Sequence, residues 1–389
     1  MISTRTKTAA AVLSAALLLA STGAAVAGQP RRGQLVGVTE LDGLATASVT
    51  ELLAAKGLDT ARVSHGVRPY KITYRTVDPD GRPTTASGLV VLPVSRARTL
   101  KPVAWLHGTT VYRGDVASVN AKGTDRAIAV MLASAGYAVV APDYLGLGEG
   151  PGAHPYVDPD SAATASIDAL RAGRTLTERR GVRFAERVFL TGHSQGGQST
   201  MAVGRELQRG ADHRMRLGAL APIAGPYAMS ASLREALADK VNFASPYVGY
   251  LTTSWNRLHG LYSDPAEAFQ KPSVEQLFDG HHTSEQVFRG LPDKVHKLLT
   301  PEFHRKLSNP SGALRRALDK ADRVCDWRPA VPTTLYMASG DGDVLPFNAA
   351  HCARQLGGRV PVVDVGQVDH NTAATRALPQ VLRAFDSVT

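Results

Sequence analysis

Val188-Phe189-Leu190-Thr191-Gly192-His193-Ser194-Gln195-Gly196 is the stretch on which the reading of this chain turns. A short apolar run at residues 188–190 leads into a glycine-flanked serine, and a helical pattern begins directly after it. A serine oxygen raised clear of a sheet needs a sharp, strained strand-to-helix turn. Such a turn leaves no room for side chains two residues before and two residues after the serine. Gly192 and Gly196 meet that need. In a chain with 36 glycines a G-x-S-x-G pentapeptide also arises by chance, so the surrounding pattern has to carry the inference.

Upstream, residues 47–56 form a short amphipathic pattern, and residues 70–77 and 86–92 read as two strands. Asp78-Pro79-Asp80-Gly81 supplies the turn between them, which predicts a hairpin at the sheet edge. Short apolar runs at 103–106, 137–140 and 188–190 then alternate with helical segments near 125–135, 161–180 and 195–208. Runs that are nearly continuously apolar belong to parallel strands covered on both faces. The fold class is therefore α/β, with a mostly parallel, doubly wound sheet. After 217–223 the strand pattern stops, and residues 228–327 are mostly polar-helical, with aromatics at Phe243, Tyr247, Tyr250, Trp255 and Tyr262. An insertion at this point predicts a helical cap over the site. The pattern resumes with a strand at 333–337, a helix at 348–355, a strand at 360–365 and a closing helix at 373–385.

Arg5 and Lys7, the apolar stretch 9–20 and Ala25-Val26-Ala27 read as a secretory signal peptide cut after Ala27. Its apolar core is too short to span a membrane, and no later stretch approaches the roughly 18 to 20 apolar residues required. The expected organisation is a leader at 1–27, α/β segments at 28–227 and 328–389, and the insertion at 228–327. An exported, extracellular protein lives where disulfides persist, so the two cysteines, Cys325 and Cys352, are expected to pair. The formal net charge of +10 falls to +8 when Arg5 and Lys7 leave with the leader. The arginines are scattered among acids without interleaved aromatics, which argues against a nucleic-acid groove. Oligomeric state has no signature in the sequence.

A serine hydroxyl needs an adjacent base to become a nucleophile. In this chain order the acid comes next and the base last. Of twelve histidines, His370 alone follows the last predicted strand, in Val368-Asp369-His370-Asn371. It is expected on a loop above the strand ends. Asp369 is too close in sequence to orient that ring. The acid falls in Gly340-Asp341-Gly342-Asp343-Val344-Leu345-Pro346. Asp343 is favoured as the residue deeper in the loop, and Asp341 stays open. For the developing oxyanion, two N–H donors are expected. One is the amide of Gln195, and the second comes from His107-Gly108-Thr109-Thr110, assigned to Thr109 with Gly108 and Thr110 as alternatives. Gly146-Leu147-Gly148-Glu149-Gly150-Pro151 lacks the third glycine and the helix entry of a dinucleotide turn. His281-His282 has no further ligand at metal spacing. No cofactor and no metal is expected.

His107-Gly108-Thr109-Thr110, Ala141-Pro142-Asp143-Tyr144-Leu145-Gly146-Leu147-Gly148, His154-Pro155-Tyr156, Gly192-His193-Ser194-Gln195-Gly196-Gly197 and Ala224-Gly225-Pro226-Tyr227 together resemble secreted lipases and esterases of the alpha/beta-hydrolase superfamily. The resemblance runs from about residue 70 to His370. It implies Ser194 as nucleophile, His370 as base and an acid in the 341–343 loop. It further implies an ester hydrolase acting on a small-molecule or lipid ester without a cofactor. One departure, a loop one residue shorter between the acid and the valine and proline that follow, leaves both aspartates open. A peptidase or acyltransferase on the same fold is the alternative, with Arg257, Lys271 and Glu275 as candidates for holding a charged chain terminus. A non-catalytic binding protein is the reading from another class, and the complete Ser, Asp and His set stands against it.

Overall fold

Strands buried on both faces form the middle of the molecule. The computed structural model describes residues 31–388, and the leader expected at 1–27 lies outside the described residues. In chain order the elements are β1 (Leu35–Glu40), α1 (Thr46–Ala55), β2 (Val67–Val77), β3 (Pro83–Pro93), β4 (Thr99–Leu100), β5 (Pro102–Leu106), α2 (Thr124–Ser134), β6 (Ala138–Pro142), α3 (Pro159–Arg179), β7 (Arg183–Phe184), β8 (Arg187–His193), α4 (Gln195–Gln208) and β9 (Arg216–Ile223). A helical stretch follows, with α5 (Met229–Leu237), α6 (Ala244–His259), α7 (Pro265–Ala268), a 3-10 segment (Pro272–Phe278), α8 (Ser284–Gly290), α9 (Val295–Leu298), α10 (Pro301–Ser308) and α11 (Gly312–Asp322). The chain then returns through β10 (Leu335–Met337), α12 (Phe347–Gln355), β11 (Val362–Asp364) and α13 (His370–Asp386).

The main sheet has nine strands in the order β1-β2-β3-β6-β5-β8-β9-β10-β11. From β6 to β11 the neighbours are parallel, while β1, β2 and β3 join antiparallel at one side. Successive side chains on each strand go to opposite faces. Val103, Trp105, Val139 and Phe189 pack with α1, α2 and α13 on one face. Ala104, Leu106, Val140 and Leu190 pack with α3 and α4 on the other. Both faces are covered, which is why these strands are apolar at every position.

The hairpin of β2 and β3 forms with its turn at Asp78, whose carboxylate accepts from the amides of Asp80 and Arg82 at 2.9 Å each. It does not form the sheet edge, however. That position belongs to β1, where Val36 and Val38 are 54% and 39% exposed. With Leu35 its one buried residue and Gly37 between the two valines, this six-residue strand lacks the continuous apolar run that reveals the central strands.

The helices between β9 and β10 enclose an apolar core of their own, with Trp255, Phe269, Leu298, Phe303 and Leu318 in its centre. Tyr250 and Tyr262 are buried in the same core, and Phe243 is exposed. Of the aromatics noted in this stretch, Tyr247 alone lines the cleft at Ser194. Cys325 and Cys352 form a disulfide with their Cα atoms 5.3 Å apart, and both are fully buried. It ties the chain leaving α11 to α12. Closing a loop of this length contributes on the order of 3 to 4 kcal/mol in the chain-entropy picture. Among the described residues no helix is long and apolar enough to cross a membrane.

Candidate active site

Ser194 stands between β8 and α4 with φ 57° and ψ −121°, a backbone conformation that costs free energy for any residue with a side chain. Its neighbours explain how the turn is held. A Cβ at Gly196 would lie 1.8 Å from the Leu106 carbonyl oxygen, and one at Gly192 would lie 2.5 Å from both that oxygen and the Gly196 carbonyl oxygen. Strand β5 and the turn therefore approach each other backbone to backbone, a contact that only glycine permits. The Ser194 amide donates to the Ile223 carbonyl at 3.0 Å, which anchors the turn to β9 as well. Ser194 is buried yet borders a cleft.

His370 is the first residue of α13, so the helix begins three residues earlier than its apolar pattern suggests. Asp369 is its N-cap and accepts from the amides of Asn371 and Thr372 at 3.0 Å each. The His370 Nδ1–H donates to Asp341 Oδ2 at 2.6 Å, with both side chains buried. The other Asp341 oxygen accepts from the amides of Asp343 and Val344, each at 2.9 Å. The ring is thereby fixed in one tautomer, and its Nε2 is buried with no hydrogen-bond partner among the described residues.

This arrangement corrects the preference for Asp343. The two amides that follow Asp341 curl back over its carboxylate, which keeps Asp341 beneath the imidazole and carries Asp343 outward. The Asp343 carboxylate accepts instead from Asn242 Nδ2 at 3.0 Å and from the Tyr247 hydroxyl at 2.8 Å.

Thr109 lines the same cleft as Ser194, and its hydroxyl is 3.0 Å from that of Tyr156. A Cβ at Gly108 would lie 3.5 Å from Ser194 Cβ, so the 107–110 loop runs beside the serine. Gln195 opens the 14-residue helix α4, whose first amides lack intrahelical acceptors and carry the positive end of the helix dipole. Of the residues expected at the site, Ser194 and Thr109 line one cleft and Gln195 follows the serine, while His370 is bonded to Asp341, in the place given to Asp343, and through its carbonyl to His193.

A model of the alpha/beta hydrolase family matches residues 103–378. The chain belongs to that family. No curated protein matches this hydrolase in sequence. Among solved structures, it is 27% identical to a Legionella pneumophila protein described as a hydrolase, covering 90% of this chain and 97% of the other with a TM-score of 0.84. With the rice cell wall degrading esterase LipA of Xanthomonas oryzae it shares 29% identity over 92% of this chain and 99% of the esterase, with a TM-score of 0.80. Candida antarctica lipase A in its closed state shares the fold at 15% identity, over 93% of this chain and 84% of the lipase, with a TM-score of 0.65.

Two further histidines support the hydrolase site, and local spacing in the sequence identifies neither. His193 donates from Nε2 to the His370 carbonyl at 2.9 Å, and the two rings lie 4.3 Å apart. Burial, with the neighbouring His370 adding to it, pushes the His193 pKa well below its ordinary value. His154 donates from Nδ1 to the Leu145 carbonyl at 2.9 Å and accepts from the Gln195 side-chain amide at 2.8 Å. The only earlier trace of His154 is its place in the His154-Pro155-Tyr156 block.

Burial pushes the His154 pKa down to about 4, against about 6.5 in an unfolded chain. Between these values the unfolded chain binds a proton that the folded chain does not. Stability therefore rises with pH across this window and is lost as pH falls through it, by about 3 kcal/mol from this ring. His193 acts in the same direction. The guanidinium unfolding midpoint is expected to drop clearly between pH 7 and pH 4.5, and a flat midpoint over that range would contradict buried neutral rings.

The cleft takes Ser194 and Thr109 from the sheet side, Met229, Leu233 and Ala236 from α5, and Val248 and Leu251 from α6. Its lining is mainly apolar, and it offers about 70 Å³ to the centre of a water molecule. His282 bonds to Asp279 at 3.0 Å, and among the described residues no group of three or more His, Cys, Asp or Glu side chains converges on one point.

Proposed function

We propose that this hydrolase cleaves carboxylic esters through an acyl-enzyme formed on Ser194. The observation that carries the reading is the buried His370 ring, held by Asp341 through Nδ1 and left with a free Nε2, its backbone carbonyl bonded to His193, the residue before the strained Ser194 turn. In the proposed cycle Ser194 Oγ attacks the ester carbonyl while His370 Nε2 takes its proton. Asp341 holds the tautomer and stabilises the imidazolium that results. The oxyanion receives the amides of Gln195 and Thr109. His370 then gives the proton to the leaving alcohol, and water repeats the sequence to release the acid.

The helical insertion acts as the cap, with α5 and α6 forming the apolar wall that meets the acyl chain. The similarity to the Xanthomonas oryzae esterase supports the ester bond as the target. Of the three candidates for holding a charged chain terminus, Lys271 is exposed and the other two are otherwise engaged. Arg257 donates to the Phe278 carbonyl at 3.0 Å, and Glu275 accepts from the Tyr262 hydroxyl at 2.6 Å. The protein is exported in this reading, which the disulfide and the leader at 1–27 support.

Hydrolysis of nitrophenyl esters carrying two to sixteen carbons, set against a panel of aminoacyl anilides, tests the proposal. Ester turnover should exceed anilide turnover at every length, with the chain-length profile reporting how deep the cleft accepts an acyl group. Anilide cleavage equal to or faster than ester cleavage would move the peptidase reading ahead.

A further inference from the structure

Asp343 borders the cleft without touching His370, and its bonds run in two directions. Its backbone N–H, together with that of Val344, holds Asp341 Oδ1 at 2.9 Å. Its carboxylate faces the helical insertion, accepting from Asn242 Nδ2 at 3.0 Å and from the Tyr247 hydroxyl at 2.8 Å. The Asn242 amide adds a third bond, donating to the Gly342 carbonyl at 2.7 Å. Two consecutive residues of the acid loop are thus fastened to the start of α6, and one of them supplies an amide that orients the acid.

We propose that Asp343 is a positioning residue through which the helical insertion fixes the Asp341–His370 pair, a proposal that rests on the ester-hydrolase reading of the site. The path of contacts is continuous: Tyr247 and Asn242 hold the Asp343 side chain, the Asp343 backbone holds the Asp341 carboxylate, and Asp341 holds the ring. Burial, with the Asp343 carboxylate adding to it, raises the Tyr247 pKa well above its ordinary value, so the phenol stays a donor throughout the working range. Loss of the Asp343 carboxylate leaves two donors unsatisfied and frees the loop that carries the acid. The competing role is simpler. As a wall of the cleft, Asp343 would affect which acyl groups fit and leave the acid–base pair alone.

The two roles separate in kcat and KM. Asp343→Ala, Tyr247→Phe and their combination are compared on acetyl and octanoyl nitrophenyl esters, with Asp343→Asn as the conservative variant and Ser194→Ala as control. Positioning predicts a kcat loss of about tenfold in Asp343→Ala, equal on both esters, with KM unchanged. It also predicts a combined variant no slower than Asp343→Ala, because both changes break one path. Asp343→Asn, which keeps an acceptor for Tyr247, should recover most of the loss. Unchanged kcat, a loss confined to KM or to one acyl length, or additive losses in the combined variant would overturn the proposal. Should Asp343→Ala fail to fold, Tyr247→Phe, which removes a single oxygen, carries the test. Turnover surviving in Ser194→Ala marks failure of the underlying site reading instead, and the proposal falls with it.

Discussion

Ser194→Ala is expected to remove about 10⁶-fold of the ester turnover while the protein stays folded. The size follows from what the residue does in the proposed cycle. Without Oγ no acyl-enzyme forms, and only the oxyanion donors and substrate binding remain to assist direct attack by water. The substitution deletes one oxygen at a position already forced to positive φ, so alanine inherits the same strained turn and adds no new clash. A fluorophosphonate probe should label the parent protein at Ser194 and leave the variant unlabelled. Retention of most ester turnover by the variant would remove Ser194 from the nucleophile role.

Asp341→Asn is the second large effect, with an expected fall in kcat of about 10⁴-fold. An amide at this position can present an N–H toward His370, which favours the wrong tautomer and withdraws the negative charge that stabilises the imidazolium. The amides of Asp343 and Val344 would still find the remaining oxygen, so the loop should keep its shape. The comparison that decides the acid is Asp341→Asn against Asp343→Asn under the same conditions. Asp343 keeps its bonds to Asn242 and Tyr247 away from the ring, so its substitution is expected to cost far less. A larger loss at 343 than at 341 would reverse the assignment.

The contrast between these two aspartates marks where sequence reading stops. Chain order and the pentapeptide place a serine, an acid loop and a histidine on an α/β sheet because strands buried on both faces leave a distinctive apolar run. Which of two carboxylates two residues apart faces the imidazole depends on how the following amides fold back, and residue spacing does not encode that. The edge strand β1 escapes notice for a related reason, since it buries Leu35 but turns Val36 and Val38 to solvent. The pairing of Cys325 with Cys352 is legible because two cysteines allow a single bridge. His154 and Gln195 stand 41 positions apart, and their bond arises only when α4 and the loop after β6 are packed together.

The placement of the helical insertion between β9 and β10 has a consequence in time. A ribosome completes Ser194 and its turn before it has made any of the insertion, and Asp341 and His370 come only after all of it. At roughly 5 to 20 residues per second, the stretch from Ser194 to His370 takes roughly ten to thirty-five seconds to synthesise. Throughout that interval the emerging chain carries the proposed nucleophile without the imidazole that would activate it in the proposed cycle. In the proposed cycle, acyl transfer therefore waits on the last segment of the chain to be made.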